Sequence, residues 1–207
     1  MTKSTVSYIG FAGILLFVFA AISGAMLIPN YSQISQYLSE SYAIDTKYGL
    51  YLRLLGYIPS GILILLFCFL AVKHLPKSRA AGIALKGIGL FYGGGTSLTG
   101  IFPCDAGCNK EMINPTVAQF IHNIAGLFTY VMVPFFVILL GAAAAKWKDA
   151  KGTGSLITAC GFVAAAFSVL FFTQLNTIYG GLYQRILEGS ILVAILVTAL
   201  HLKKKFI

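Results

Sequence analysis

Six long apolar runs separated by short polar segments dominate the chain. They cover roughly residues 6–28, 50–72, 83–102, 117–145, 155–175 and 186–202. Each is close to the ~20 residues that carry a helix across a ~30 Å hydrocarbon core. None shows the period-two alternation of a barrel strand, and lipid leaves a backbone no other way to satisfy its hydrogen bonds than a helix. The expected fold is therefore all-α, one domain of six transmembrane helices. The first run is too long for a cleaved signal peptide and reads as a retained span.

The composition supports the bilayer as solvent. Hydrophobic residues make up 58% of the chain and charged ones 10%, against about a quarter charged in an ordinary soluble domain. The net charge of +9 would suggest nucleic acid in a soluble protein, but here the basic residues sit in clusters between spans. Lys3, the group Lys73, Lys77, Arg79 and Lys86, the group Lys146, Lys148 and Lys151, and Lys203, Lys204 and Lys205 fall on one side; only Lys47, Arg53, Lys110 and Arg185 fall on the other. The positive-inside rule then places both termini in the cytoplasm, and membrane lipids rather than nucleic acid become the expected partners. The acids complement this, since only Asp149 shares the basic side.

The two elaborate loops, 29–49 and 103–114, lie on the acidic, outer side, and elaborate loops are where chemistry tends to sit. Small residues abound within the spans, as at Gly93, Gly94 and Gly95. They read first as close helix packing and second as a helix loosened beside a cavity. The first and third spans share a Gly-Ile-x-Leu-Phe pattern with a Ser and a Pro at matching spacings (Gly13 to Pro29, Gly87 to Pro103), a hint of a parallel duplication.

Candidate chemistry concentrates at the outer end. Cys104 and Cys108 flank Asp105, and in an oxidising compartment a disulfide is the leading reading; a site holding metal on both thiolates, Asp105 and His122 is the alternative. Gln119, His122 and Asn123 share one helical face two turns into the fourth span. That face needs protein or a wet cavity opposite it, so His122 is a hydrogen-bonded packing residue, a ligand contact or an acid/base group. Arg53, Arg185, Glu188 and Glu40 add charge at similar depth, with Gln174, Asn176 and Gln184 around them. Arg185 and Glu188, spaced i to i+3, could pair with each other, and two arginines together suit a phosphate or carboxylate.

Several enzyme templates are missing: there is no H-E-x-x-H motif, no G-x-S-x-G elbow and no phosphate-cradling lysine loop. No cofactor and no metal is expected. The leading function is an outer cavity that binds, and moves or senses, a lipid headgroup or a small polar or anionic ligand, through Glu40, Arg53, Asp105, Gln119, His122, Asn123, Gln184, Arg185 and Glu188. One alternative is an intramembrane lipid hydrolase or transferase. In it His122 would be the general base, Asp105 its orienting group, and Ser23, Ser35, Ser97 and Thr99 the hydroxyls at hand. The other is a structural protein whose polar cluster satisfies itself.

The element Gly100-Ile-Phe-Pro-Cys-Asp-Ala-Gly-Cys108, followed by His122-Asn123, resembles a bacterial family of six-span membrane proteins defined as domain of unknown function 998. Ser32 to Leu38 and Gln184-Arg185 resemble it too. The resemblance spans nearly the whole chain and implies a multi-pass protein of the cell membrane, in bacteria the inner one. More loosely, the layout is similar to that of the damage-regulated autophagy modulators, with six spans and a histidine early in the fourth. Neither resemblance implies an established activity.

Overall fold

The computed structural model describes residues 1–147, 152–174 and 177–203. Lys148, Asp149, Lys151, Asn176, Lys204 and Lys205 lie outside the described residues. The described chain is helical, with no strand. Helix α1 is Lys3–Leu27 and α2 is Gly49–Ala71. Helix α3 covers 79–101 in three joined pieces, Arg79–Ile88, a π-helical Gly89–Gly94 and Gly95–Ile101. Helices α4, α5 and α6 are Val117–Ala144, Thr153–Thr173 and Gly180–Lys203. Five of these, all but α3, are long and apolar enough to cross a membrane: this is a multi-pass membrane protein. Helix α3 differs because Lys86 and a run of Gly, Ser and Thr dilute its apolar surface, in keeping with a segment packed mostly against protein.

Local chemistry sets the helix starts. The Thr2, Ser78 and Thr116 side chains accept from Thr5 N, Ala81 N and Gln119 N at the heads of α1, α3 and α4, where backbone N–H groups otherwise lack partners. Each helix packs on its neighbours in sequence, and α6 closes the ring against α1. Small residues make the close contacts. Ser60 Oγ of α2 donates to Gly13 O of α1 (2.8 Å), and Gly141 and Gly161 bring α4 and α5 to within side-chain contact of each other's backbones.

Two boundaries differ from the apolar pattern for a tertiary reason. Helix α6 starts at Gly180, six residues before the apolar run, because the loop after α1 folds onto its first turn. Leu182 N donates to Ile34 O (2.9 Å), and Gly181 lies so close to Gln36 O that a Cβ would collide with it. Helix α3 starts at Arg79, capped by Ser78 rather than by the first apolar residue.

The loops after α1 and α3 cover the same end of the ring. The first contains a buried 3-10 turn, Leu38–Tyr42. The second contains a left-handed stretch at Gly107 and Cys108. Ile44 N donates to Cys104 O (3.1 Å), joining the two loops.

Candidate functional site

Beneath these loops, among the loop-side ends of the helices, lies a cavity of about 630 Å³. Its floor is polar and comes from three helices. Glu188 of α6 accepts a hydrogen bond from Tyr92 OH of α3 (2.7 Å) on one oxygen and from Tyr130 OH of α4 (2.8 Å) on the other. Gln184, one turn nearer the loops, donates through Nε2 to Tyr130 OH (2.6 Å) and accepts from Leu38 N (2.7 Å). The Leu38 contact fixes the amide orientation, because a backbone N–H must meet the amide oxygen.

Aromatic rings form the walls. Phe17, Tyr42 and Tyr57 line one side, with ring centroids 4.4 Å apart for Tyr42 and Tyr57 and 5.4 Å for Phe17 and Tyr57. Phe171 and Phe172 of α5 line the other, both against Tyr130. Lys110, Glu111 and Met112 contribute from the second loop. Asn123 and Leu127 line the cavity yet are exposed on α4, so it reaches the bundle surface there.

His122 also lines the cavity. Its Nδ1 faces two carbonyls, Phe102 O at 3.0 Å and Thr99 O at 3.3 Å. Carbonyls only accept, so Nδ1 carries the proton and Nε2 is the uncommitted ring nitrogen. The orienting partner is thus backbone, not Asp105. None of the hydroxyls of Ser23, Ser35, Ser97 and Thr99 is hydrogen-bonded to His122; Ser97 Oγ donates to Ile58 O (3.1 Å) and Thr99 Oγ1 to Thr96 O (3.0 Å).

Asp105 does different work. Its carboxylate accepts from Thr116 Oγ1 (2.6 Å), Thr116 N (3.0 Å) and Asn109 Nδ2 (3.4 Å), while its own N donates to Gln119 Oε1 (2.7 Å). It ties the second loop to the head of α4. The two Thr116 hydrogen bonds hold the Asp105 carboxyl below the usual carboxylate range. A lowered folded value means that the carboxylate's contribution to stability is complete above the unfolded value of about 3.9 and fades as pH falls through the folded one. Asp105→Asn is therefore expected to melt below wild type at neutral pH, and the gap in melting temperature to close as the pH drops below about 4. A gap unchanged by acid would show that the charge is immaterial.

The remaining candidates divide. Gln119 Nε2 donates to Asn123 Oδ1 (2.8 Å), behind the cavity wall. Glu40 pairs with Lys110 (2.8 Å) and accepts from Tyr37 N (2.9 Å), so it meets a lysine rather than Arg53. Arg53 is half-buried, donates to Gly49 O in its own helix (3.3 Å), and does not line the cavity. Arg185 turns away from Glu188 and reaches Tyr31 OH (2.7 Å), Gln36 O (2.8 Å) and Gly181 O (3.0 Å), holding the first loop onto α6. It borders, with Glu188, a separate groove of about 170 Å³ beside α1. The paired-arginine anion site expected from the sequence is not assembled at the main cavity. Gln174 accepts from Tyr183 OH (3.4 Å) at the exposed end of α5.

Cys104 and Cys108 are joined in a disulfide. Among the described residues no group of three or more His, Cys, Asp or Glu is placed to hold a metal.

The residues not anticipated are the mid-span tyrosines Tyr57, Tyr92 and Tyr130. Their signal was available: tyrosine in membrane proteins favours the interfaces, and a phenol deeper in a span needs a polar partner. Removing one link should be costly. Gln184→Leu strands the buried Leu38 N–H and is expected to lose about 2 kcal/mol, read by chemical unfolding.

No curated protein and no solved structure matches the chain. One family model does, described as Protein of unknown function (DUF998), over residues 11–201. That match runs from the first turns of α1 to the last turn of α6 and takes in both loops and every cavity-lining helix, so the chain belongs to the DUF998 family of membrane proteins.

Proposed function

We propose that this membrane protein binds a small polar ligand, or the headgroup of a lipid, in the cavity under its two loops, and moves or senses it. The observation carrying this reading is the Glu188, Tyr92, Tyr130 and Gln184 network, held at the floor of a space of about 630 Å³ that opens beside α4. A purely structural network would sit in packed protein; this one borders space in the size range of ligand pockets. The opening along α4, between exposed Asn123 and Leu127, suits entry from the lipid phase as well as from water. An intramembrane hydrolase or transferase is a weaker reading, because among the described residues no acid or hydroxyl is hydrogen-bonded to His122.

In the same proposal α3 crosses the membrane as the sixth span, the basic clusters keep both termini in the cytoplasm, and the cavity faces the outer side of a bacterial inner membrane. Native mass spectrometry of the gently solubilised protein tests the reading. A specific retained lipid or small molecule is expected, and it should be absent from Gly126→Phe, which fills the cavity. A clean apo mass from native membranes would sink the binding role and leave the structural reading ahead.

A further inference from the structure

Resting on that cavity reading, we infer that the ligand is an organic cation, an amine or quaternary ammonium group, held against Glu188 and the aromatic walls. The direction of the hydrogen bonds on the floor carries the argument. Leu38 N fixes the Gln184 amide oxygen, so Gln184 Nε2 donates to the Tyr130 oxygen and Tyr130 must pass its own proton to Glu188. Tyr92 donates to the other carboxylate oxygen. The donor chain ends on Glu188, the acceptor for both phenols.

No cation among the described residues balances that acceptor. Among the described residues no lysine, arginine or histidine pairs with Glu188, which is 7% exposed. Arg185, one turn away on α6, is committed to Tyr31, Gln36 and Gly181. Lys110 lines the cavity near the loops but is tied to Glu40 at 2.8 Å, and Glu111 lines it as well. A buried carboxylate without a cation is costly, and one from a ligand completes it.

The walls point the same way. The Tyr42 and Tyr57 rings on one side and Phe171 against Tyr130 on the other present π surface to the same space, the setting in which a desolvated ammonium is attracted most strongly. An anion would meet this acidic floor with neither arginine at hand.

The cation could be free in solution or be the head of a choline or ethanolamine lipid, and two arms separate these. In an uncharged maltoside detergent, the wild-type protein is titrated calorimetrically with choline, with its neutral isostere 3,3-dimethylbutanol, and with inorganic phosphate. Choline is expected to bind at least ~10-fold more tightly than the isostere, with no phosphate binding, and Glu188→Gln to weaken choline at least ~10-fold. In the second arm, native mass spectrometry from phosphatidylcholine and phosphatidylglycerol nanodiscs is expected to retain the choline lipid if the cation is a headgroup; that result without free choline binding also supports the inference. If the isostere or phosphate binds as well as choline, or if the retained molecule carries no cationic group, the cation assignment falls while the cavity reading stands. If no probe binds and no lipid is retained, both fall. Should Glu188→Gln fail to fold, the choline-to-isostere ratio on the wild-type protein decides alone.

Discussion

Gly93→Leu is expected to destabilise the protein by about 3 kcal/mol or more, enough to remove most of the monodisperse protein recovered from membranes. Gly93 lies in the π-helical segment Gly89–Gly94 of α3, where it crosses α2. A Cβ there would come within 2.6 Å of Leu65 N and 2.7 Å of Gly61 O, both backbone atoms of the facing helix. A flexible side chain could swing aside, but a backbone cannot move without parting the two helices. Overpacking a well-packed site costs 1–3 kcal/mol where neighbours can adjust, and here they cannot. Interfaces between membrane helices rely on such close approach because lipid supplies no hydrophobic drive toward association. The adjacent residue is the control. A Cβ at Gly94 meets nothing closer than Leu65 Cδ1 at 3.7 Å, so Gly94→Ala should melt within about 0.5 kcal/mol of wild type or slightly above it. Equal behaviour of the two variants would refute the crossing geometry.

Gly126→Phe should do the reverse, leaving the fold intact and abolishing binding. Gly126 lines the cavity from α4, and a Cβ there has no heavy atom within 4 Å. A helical glycine replaced by a residue of better helix propensity gains a few tenths of a kcal/mol, so stability is expected to hold or rise. The benzyl group projects into space the ligand needs. Ligand retention should fall at least ~100-fold, a loss of about 2.7 kcal/mol of binding free energy. Thermal unfolding and native mass spectrometry on the same preparation read both quantities. A variant that folds and still retains the ligand would place the binding site elsewhere. A variant that does not fold would show that the bundle cannot accommodate a phenyl group at this position.

Together these variants separate what the glycines do. Gly93 is needed for contact, Gly126 for space, and Gly95 for both, since it lines the cavity and its Cβ would collide with Thr129 Oγ1 of α4. The triplet Gly93 to Gly95 could be read from the sequence as packing or as loosening beside a cavity, and neighbouring positions serve each end.

The sequence by itself determined the class of solvent and the helices. Apolar runs of span length leave the backbone one conformation in lipid, which is why α1, α4 and α5 fall within a few residues of the runs that predict them. It also made the disulfide between Cys104 and Cys108 the leading reading, with a metal site as the alternative, and the structure joins the two; it gathered polar side chains beneath two elaborate loops. His122, Gln184 and Glu188 were placed in that region by helical spacing alone, and all three line the cavity.

Only the tertiary structure decided who meets whom. Arg185 and Glu188 are three residues apart on one helix and could have paired. The first loop takes the arginine through Gln36 and Tyr31, and two tyrosines from other helices take the glutamate. Asp105 could have oriented His122, yet Thr116 lies within its reach and caps α4 at the same time. The physical reason is common to these cases. Helical periodicity fixes the face a residue occupies, but a hydrogen bond needs a partner within about 3 Å, and that partner comes from a segment tens of residues away. The same holds for charge. Counting arginines along the chain suggested an anion, whereas the ring of helices turns both arginines out of the cavity and leaves a carboxylate among aromatic rings.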